Sequence, residues 1–431
     1  MPTEIPLADL DLRRHVRAGD TVLWGQGCAE PRPLVERLLA DRADIGPFRC
    51  FLGIPAADTV RPEHTDVVSF VSYCGTGANR ELIRAGRLDI LPGHYSTLPQ
   101  LFASDEFRID VLLLLVPPPD PDGTFRYGLA QEYLTAALAR ARVVIAEVNE
   151  LVPRVECGGR LDPDRIDVVV PTRRPPVEMP SRPPAQIDLA IARRVAELVP
   201  DGATLQVGLG SLPSAILAQL ANHRDLGVHS GLVTDAVVDL MSAGVVTGRR
   251  KTVDRGKVVT GLLMGTERLF RAAGHDPAFQ LRETTYTHDP EVLAAQHRFV
   301  AVNSALQVDL TGQINAEEVG GEYVGAVGGA VDFLRGARRS PGGVPVVALP
   351  ATSRGTSRIV VQLSGPVSTA RSDACVVVTE HGVADLRRLT LAQRRERMLA
   401  IAAPEHRPAL AESLRASASP ARSGTTRAGG R

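Results

Sequence analysis

Lysine is almost missing from this chain: Lys251 and Lys257 are the only two, and arginine supplies every other basic side chain. That bias reads as codon usage rather than mechanism. Net charge is missing too, since 49 Lys and Arg balance 49 Asp and Glu. No field is left over to hold a phosphate backbone or an anionic bilayer, so neither nucleic acid nor membrane is an expected partner. The five cysteines (Cys28, Cys50, Cys74, Cys157 and Cys375) form an odd, scattered set without a C-x-x-C pair, which indicates neither a disulfide framework nor a zinc knuckle and suits a reducing cytoplasm. None of the ten histidines is spaced H-x-x-x-H, so no metal is expected. No stretch approaches the roughly 18 apolar residues of a membrane span, and the N-terminus, with Asp9, Asp11, Arg13 and Arg14, has no signal-peptide core.

What the chain does have is enough apolar residue, 44% over 431 positions, to bury more than one core. Short apolar runs at Thr21–Trp24, Val111–Val116, Val143–Ala146, Thr204–Val207, Val346–Leu349 and Cys375–Val378 read as buried strands. Most precede a glycine or proline turn and a segment of helical spacing, the pattern of a parallel sheet covered by helices. One such helix sets Ile187, Ile191, Val195 and Leu198 on one face and stops at Pro200-Asp201-Gly202. The proline-dense stretch from Pro171 to Pro184 fits neither helix nor central strand and marks a boundary. Residues 1–185 and 186–412 are therefore expected as two α/β domains, and residues 413–431, rich in Ser, Ala, Arg and Gly, as a disordered tail.

The halves resemble each other. Gly19-Asp20, a strand, Gly25-Gln26-Gly27, Pro31 and a helix carrying Leu34 and Leu38 are matched by Asp201-Gly202, a strand, Gly208-Leu209-Gly210, Pro213 and a helix carrying Leu217 and Leu220. The shared order predicts a duplicated unit with a cleft between the copies. Glycines directly after a strand allow a sharp turn, and the helix that follows offers free N–H groups, so Gly208–Leu212 is suited to a phosphate or an oxyanion. A dinucleotide fingerprint is not complete there, because Pro213 stands at the third glycine. The glycines from Gly320 to Gly329 imply further close approaches of backbone to a ligand or to another segment. Thr287-His288-Asp289-Pro290 reads as an ordinary turn rather than a base or metal motif, and Cys28 as a small buried side chain in a tight turn.

Longer motifs carry a resemblance. Asn303-Ser-Ala-Leu-Gln-Val-Asp-Leu-Thr-Gly-Gln313, the Gly-Ala-Val-Gly-Gly329 run with Asp332-Phe333 and Arg335-Gly-Ala337, and Thr379-Glu-His-Gly-Val-Ala-Asp-Leu386 are similar to the acetyl-CoA hydrolase/transferase family, which includes the 4-hydroxybutyrate and butyryl CoA-transferases. Ile145–Asn149, Asp201–Gln206 and Leu226–Ser230 extend the likeness to about Leu410. The resemblance implies two similar open α/β domains with mainly parallel sheets, of the class I CoA-transferase type, a homo-oligomer, and exchange between an acyl-CoA and a carboxylate. Coenzyme A enters as a substrate and no metal is implied. Carried over position by position, Gly208, Leu209, Gly210, Ser211 and Leu212, together with Val327, Gly328 and Gly329, are expected around the thioester and the CoA, with Ser353 a further CoA contact.

One departure bears on mechanism. The family pattern Leu-Gly-x-His-Ser-Glu ends in a glutamate nucleophile, and here that position is Gly231, after His229-Ser230. Ala330 and His381 also replace the family's usual glutamine and tyrosine. Glycine cannot attack a thioester. Three readings follow: direct attack by water or an acceptor, assisted by a base such as His229, Asp235, Glu147 or His381; a substitute carboxylate, Glu147 or Glu380, that preserves CoA transfer; or a CoA-binding homologue without activity. The first is preferred, since the vacated volume admits a nucleophile.

Overall fold

In the computed structural model, which describes residues 2–418, the strongest apolar runs form the centres of two sheets. Val111–Val116 is buried at every position and lies between Thr21–Trp24 and Val143–Asn149. From there the first sheet continues outward on one side through Phe48–Leu52, Val68–Ser72 and Leu88–Ile90, and on the other through Val168–Thr172 and Thr3–Glu4. All its pairings are parallel, and its central strands are buried on both faces, as is usual for a parallel sheet covered by helices.

The second sheet repeats this order. Thr204–Val207 and Phe299–Ser304 are the central pair. Gly227–Val233, Val258–Leu263 and Phe279–Leu281 run outward on one side, and Val344–Ala348 and Val376–Thr379 on the other. Only the closing strand Gly382–Asp385 is antiparallel. In both halves the chain reverses its direction of travel across the sheet between the two central strands. A crevice opens at such a switch point, beyond the carboxyl ends of the strands, and ligands bind there.

The expected helices fall close to their predicted places. Arg32–Ala40 buries Leu34 and Leu38, and Gln186–Ala196 buries Ile191 and Val195 before Pro200 prevents continuation. The helix Arg407–Ala418 takes in residues 413–418 of the stretch expected as a tail, because Leu410 and Leu414 pack on the cluster around Leu349, Cys375 and Met398. The rest of that stretch, 419–431, lies outside the described residues. The strand Glu156–Cys157, from the first half of the chain, pairs with Phe279–Leu281 and forms one edge of the second sheet. Among the described residues no helix is long and apolar enough to cross a membrane.

Candidate active site in the cleft

A cavity of about 200 Å³ opens at the carboxyl ends of both sheets. Each switch point contributes to it: Gln26 follows the strand Thr21–Trp24, while Gly208 and Asn303 come from the ends of the central pair of the second sheet. Gln206 and Asn303 hold each other across that pair, with Asn303 Nδ2 donating to Gln206 Oε1 at 3.1 Å. Gly328, Gly329 and Ala330 form the facing wall with Phe333. The loop that carries them is tied to the first half, since Gly75 N–H donates to Gly325 O at 2.8 Å and Tyr95 N–H to Gly328 O at 3.0 Å.

The two glycine turns thus face one space. Gly208 and the pair Gly328-Gly329 line it; Gly210 (φ +125°) caps the helix Ser211–Gln219, which carries Ser211 and Leu212, and Leu209 is 39% exposed. Val327 precedes the lining glycines in the same loop. Ser353 sits in the short antiparallel pair Thr352–Ser353 and Thr356–Ser357, away from this lining.

Gly231 is in the cavity wall, within the strand Gly227–Val233. A methyl group built there would meet His288 Cε1 at 3.2 Å and Nε2 at 3.4 Å, and one built on Gly329 would meet Nε2 at 2.5 Å. The His288 ring therefore stands against both glycines, so the volume expected to be vacated at position 231 is bordered by this ring and not left empty. It packs between Phe333 (centroids 4.5 Å) and Tyr95 (5.1 Å), tilted against both rings. Thr287 Oγ1 is 2.9 Å from His288 Nδ1 and donates to Glu283 O at 3.3 Å. A hydroxyl has one proton, so both contacts are satisfied only when Nδ1 carries the imidazole hydrogen and Nε2 its lone pair. Burial pushes His288 down to about 3, which keeps the ring neutral at physiological pH. The turn expected here is real for Asp289-Pro290, where Asp289 caps the next helix at 2.8 and 2.9 Å, but the residue before it faces the cleft.

A carboxyl group also enters the cavity, from Glu132. Leu129–Glu132 belongs to the first half but is clamped onto the strand Val258–Leu263 of the second: Leu263 N–H donates to Leu129 O and Gln131 N–H to Gly261 O, both at 2.9 Å. Glu132 has φ +28°, outside the regions a non-glycine residue prefers, and such strain is held only where the surroundings over-determine it. A methyl group on Gly261 would lie 3.0 Å from Gly231 O and 3.6 Å from Glu132 Cβ, so the two residues flank the same glycine. Glu132 Oε2 accepts from Tyr95 Oη at 2.5 Å and from Gln26 Nε2 at 2.7 Å. The Gln26 amide cannot be turned over, because its Oε1 accepts from Ile54 N–H (2.8 Å) and from the Tyr73 hydroxyl (2.7 Å). Glu132 Oε1 has no hydrogen-bond partner. Burial raises this carboxyl to about 7, against the opposing pull of the two donors.

The four side chains proposed from sequence as bases lie elsewhere. His229 is fully buried behind the cleft wall, with Nε2 3.1 Å from Thr287 O, and burial pushes it down to about 3. Asp235 accepts from Thr266 N–H at 3.0 Å and its hydroxyl at 2.7 Å, tying two strand-to-helix turns together. Glu147 receives Arg174 Nε and Nη2, each at 2.8 Å, and the Thr172 hydroxyl at 2.7 Å. His381 is near Glu380 at 3.6 Å, and Glu380 itself accepts from Ala351 N–H at 2.8 Å. None of these lines the cavity around Gly231. Cys28 is buried, and burial pushes its thiol up to about 12. Among the described residues no group of three or more His, Cys, Asp or Glu could hold a metal ion.

Comparison with known proteins gives this geometry its class. Residues 9–171 match the acetyl-CoA hydrolase/transferase N-terminal domain and residues 265–414 its C-terminal domain. The 4-hydroxybutyrate coenzyme A transferase of Clostridium kluyveri is 36% identical over 338 residues, 78% of this chain and 79% of that protein. The solved structure of RipA from Yersinia pestis superposes with a TM-score of 0.91 at 32% identity, over 96% of this chain and 97% of that one. That of 4-hydroxybutyrate CoA-transferase from Porphyromonas gingivalis gives 0.81 at 30%, over 96% and 98%.

The chain belongs to the acetyl-CoA hydrolase/transferase family. It is an acyl-CoA hydrolase or transferase enzyme with two open, mainly parallel α/β sheets.

Proposed function

We propose that this enzyme binds an acyl-CoA with its thioester in the cleft between the sheets and releases CoA by direct attack of water or an acceptor, without a glutamyl-enzyme intermediate. One observation carries the reading: the turns at Gly208 and Gly328-Gly329, far apart in sequence, line one cavity with Gly231 in its wall. Backbone N–H groups of such turns stabilise an oxyanion because they are fixed before charge develops. Gly231 offers no side chain for a covalent route, and a glutamate there would start 3.2 Å from His288, a contact tight enough that the ring would have to give way. The acyl group is small or medium, in keeping with the size of the cavity, and the acceptor is water, an alcohol or an amine.

The test is incubation with acetyl-CoA and butyryl-CoA, measuring free thiol and, after borohydride trapping, the mass of the protein. Thiol release with unmodified protein is expected. A trapped glutamyl adduct would overturn direct attack in favour of a substitute carboxylate, and CoA binding without turnover would leave a binding protein in place of an enzyme.

A further inference from the structure

Proton removal is the requirement that direct attack adds. Water, an alcohol or an amine reaches a thioester carbon effectively only if a base takes its proton as the bond forms, and the base must sit within hydrogen-bond reach. Of the carboxyl groups among the described residues, Glu132 is the one in the cavity lining. It approaches from the opposite half of the chain to Gly231, with Gly261 between them. One oxygen is fixed by Tyr95 and Gln26, and the other is buried without a partner. A buried, unsatisfied carboxyl oxygen costs stability and calls for an explanation. So does left-handed backbone at a glutamate.

We propose that Glu132 is the general base for attack on the thioester, and that Tyr95 and Gln26 are positioning residues that hold its carboxylate. This rests on reading the cleft as an acyl-CoA site. Glu132 Oε1 takes the proton from the O–H or N–H of the attacking group as its bond to the thioester carbon forms, and the carbonyl oxygen becomes an oxyanion. The C–S bond then breaks, the CoA thiolate leaves, and Glu132 returns the proton to sulfur. Acyl group, proton and electron pair are all accounted for, and the enzyme ends as it began.

The electrostatics suit that cycle. The titratable side chains that feel Glu132 are Tyr73, Tyr95 and Tyr133, all raised well above the usual phenol range by burial. Cys74, also raised by burial, lies beyond them, and neutral His288 packs tilted against Tyr95. With burial as the raising cause, Glu132 titrates at about 7, where it both accepts and returns a proton readily. Were it held low by a cation, it would be a poor base; His288, at about 3, is far from this range.

The experiment uses the full chain with acetyl-CoA and butyryl-CoA as probes. In the wild type, kcat/KM for thiol release is expected to rise with pH through about 7 and level off. E132Q should lower kcat by roughly 10²- to 10⁴-fold, the usual contribution of a general base, leave CoA affinity by calorimetry unchanged, and abolish the rise. Y95F should keep substantial activity but move the rise to higher pH, because it removes a donor that favours the charged form; a merely structural tyrosine would not do this. An E132Q that keeps the rate or the pH rise overturns the proposal, as does a covalent adduct on Glu132, which would make it a nucleophile. If E132Q does not fold, an unmoved profile in Y95F overturns it. Wild-type protein that binds CoA but releases no thiol instead overturns the functional reading, and the role of Glu132 falls with it.

Discussion

Replacing Glu132 by glutamine should make the protein more stable and less active, and the size of the first effect follows from the site. The amide carbonyl of the substituted side chain still accepts from Tyr95 and Gln26, so the positioned side of the group keeps its bonds. What changes is the cost of ionisation. The wild-type carboxyl is displaced from 4.5 to about 7 by burial. At about 1.4 kcal/mol per pH unit, that displacement is worth about 3 kcal/mol. The folded value is raised, so between these limits the unfolded chain has already released its proton while the folded chain keeps it. Stability therefore falls as pH rises from about 4.5 to about 7 and is flat beyond. E132Q lacks this loss. Glu30, also raised to about 7 by burial, titrates in both proteins and cancels in the comparison. Urea unfolding of the two proteins across that range should give curves whose separation grows by about 3 kcal/mol in favour of E132Q, nearly all of it below neutral pH. A separation independent of pH would refute the picture of a dry carboxyl in the cleft. A separation that shrinks with pH would show that Glu132 is held in its charged form instead.

Other substitutions probe the surroundings. G231E alone should lower the melting temperature and give no borohydride-trapped adduct, because a side chain there begins 3.2 Å from His288; G231E/H288A should relieve the clash, and an adduct on residue 231 by mass spectrometry is the expected result. G329A should displace His288, whose Nε2 would lie 2.5 Å from the new methyl, costing about 1–3 kcal/mol in urea unfolding and weakening acyl-CoA binding by calorimetry. E147Q should lower stability by about 3–5 kcal/mol, since it leaves the Arg174 guanidinium without its buried carboxylate, while kcat of the folded fraction stays near wild type. A fall in kcat without a fall in melting temperature would place Glu147 in the chemistry after all.

The layout of the fold was legible in the sequence because it rests on local signals. Thr21–Trp24, Val111–Val116 and Thr204–Val207 are apolar runs ended by glycine or proline, and each is a central strand with those bounds. Gly329 was legible as a place of close approach, and a methyl there would meet His288 at 2.5 Å, whereas one on Gly208 would meet nothing within 4 Å. Glu132 and His288 were not legible. Nothing in Gln131-Glu132-Tyr133 sets that glutamate apart from an exposed one; its meaning comes from Leu263 and Gly261, more than a hundred residues later, which hold its backbone. His288 looked like part of a turn because Asp289-Pro290 does form one, and only the approach of Gly231 and Gly329 shows what the ring occupies. Glu147 shows the converse. Its motif stood out in the sequence, yet its carboxylate is fully engaged by Arg174 and Thr172.

The edge strand Glu156–Cys157 limits how this enzyme can be taken apart. It precedes the proline-rich connection yet belongs to the sheet that follows it, held through Gln280 and Leu281 and by Gly158 N–H to Leu281 O at 2.8 Å. A cut within residues 173–185 would leave the downstream fragment with a bare sheet margin and the upstream fragment with a dangling segment, both prone to self-association. Fragments expressed separately should therefore be insoluble or should recombine, and swapping halves between homologues will succeed only if the donor supplies a compatible edge, because a crossover before residue 156 would instead take the strand Val168–Thr172 out of the first sheet.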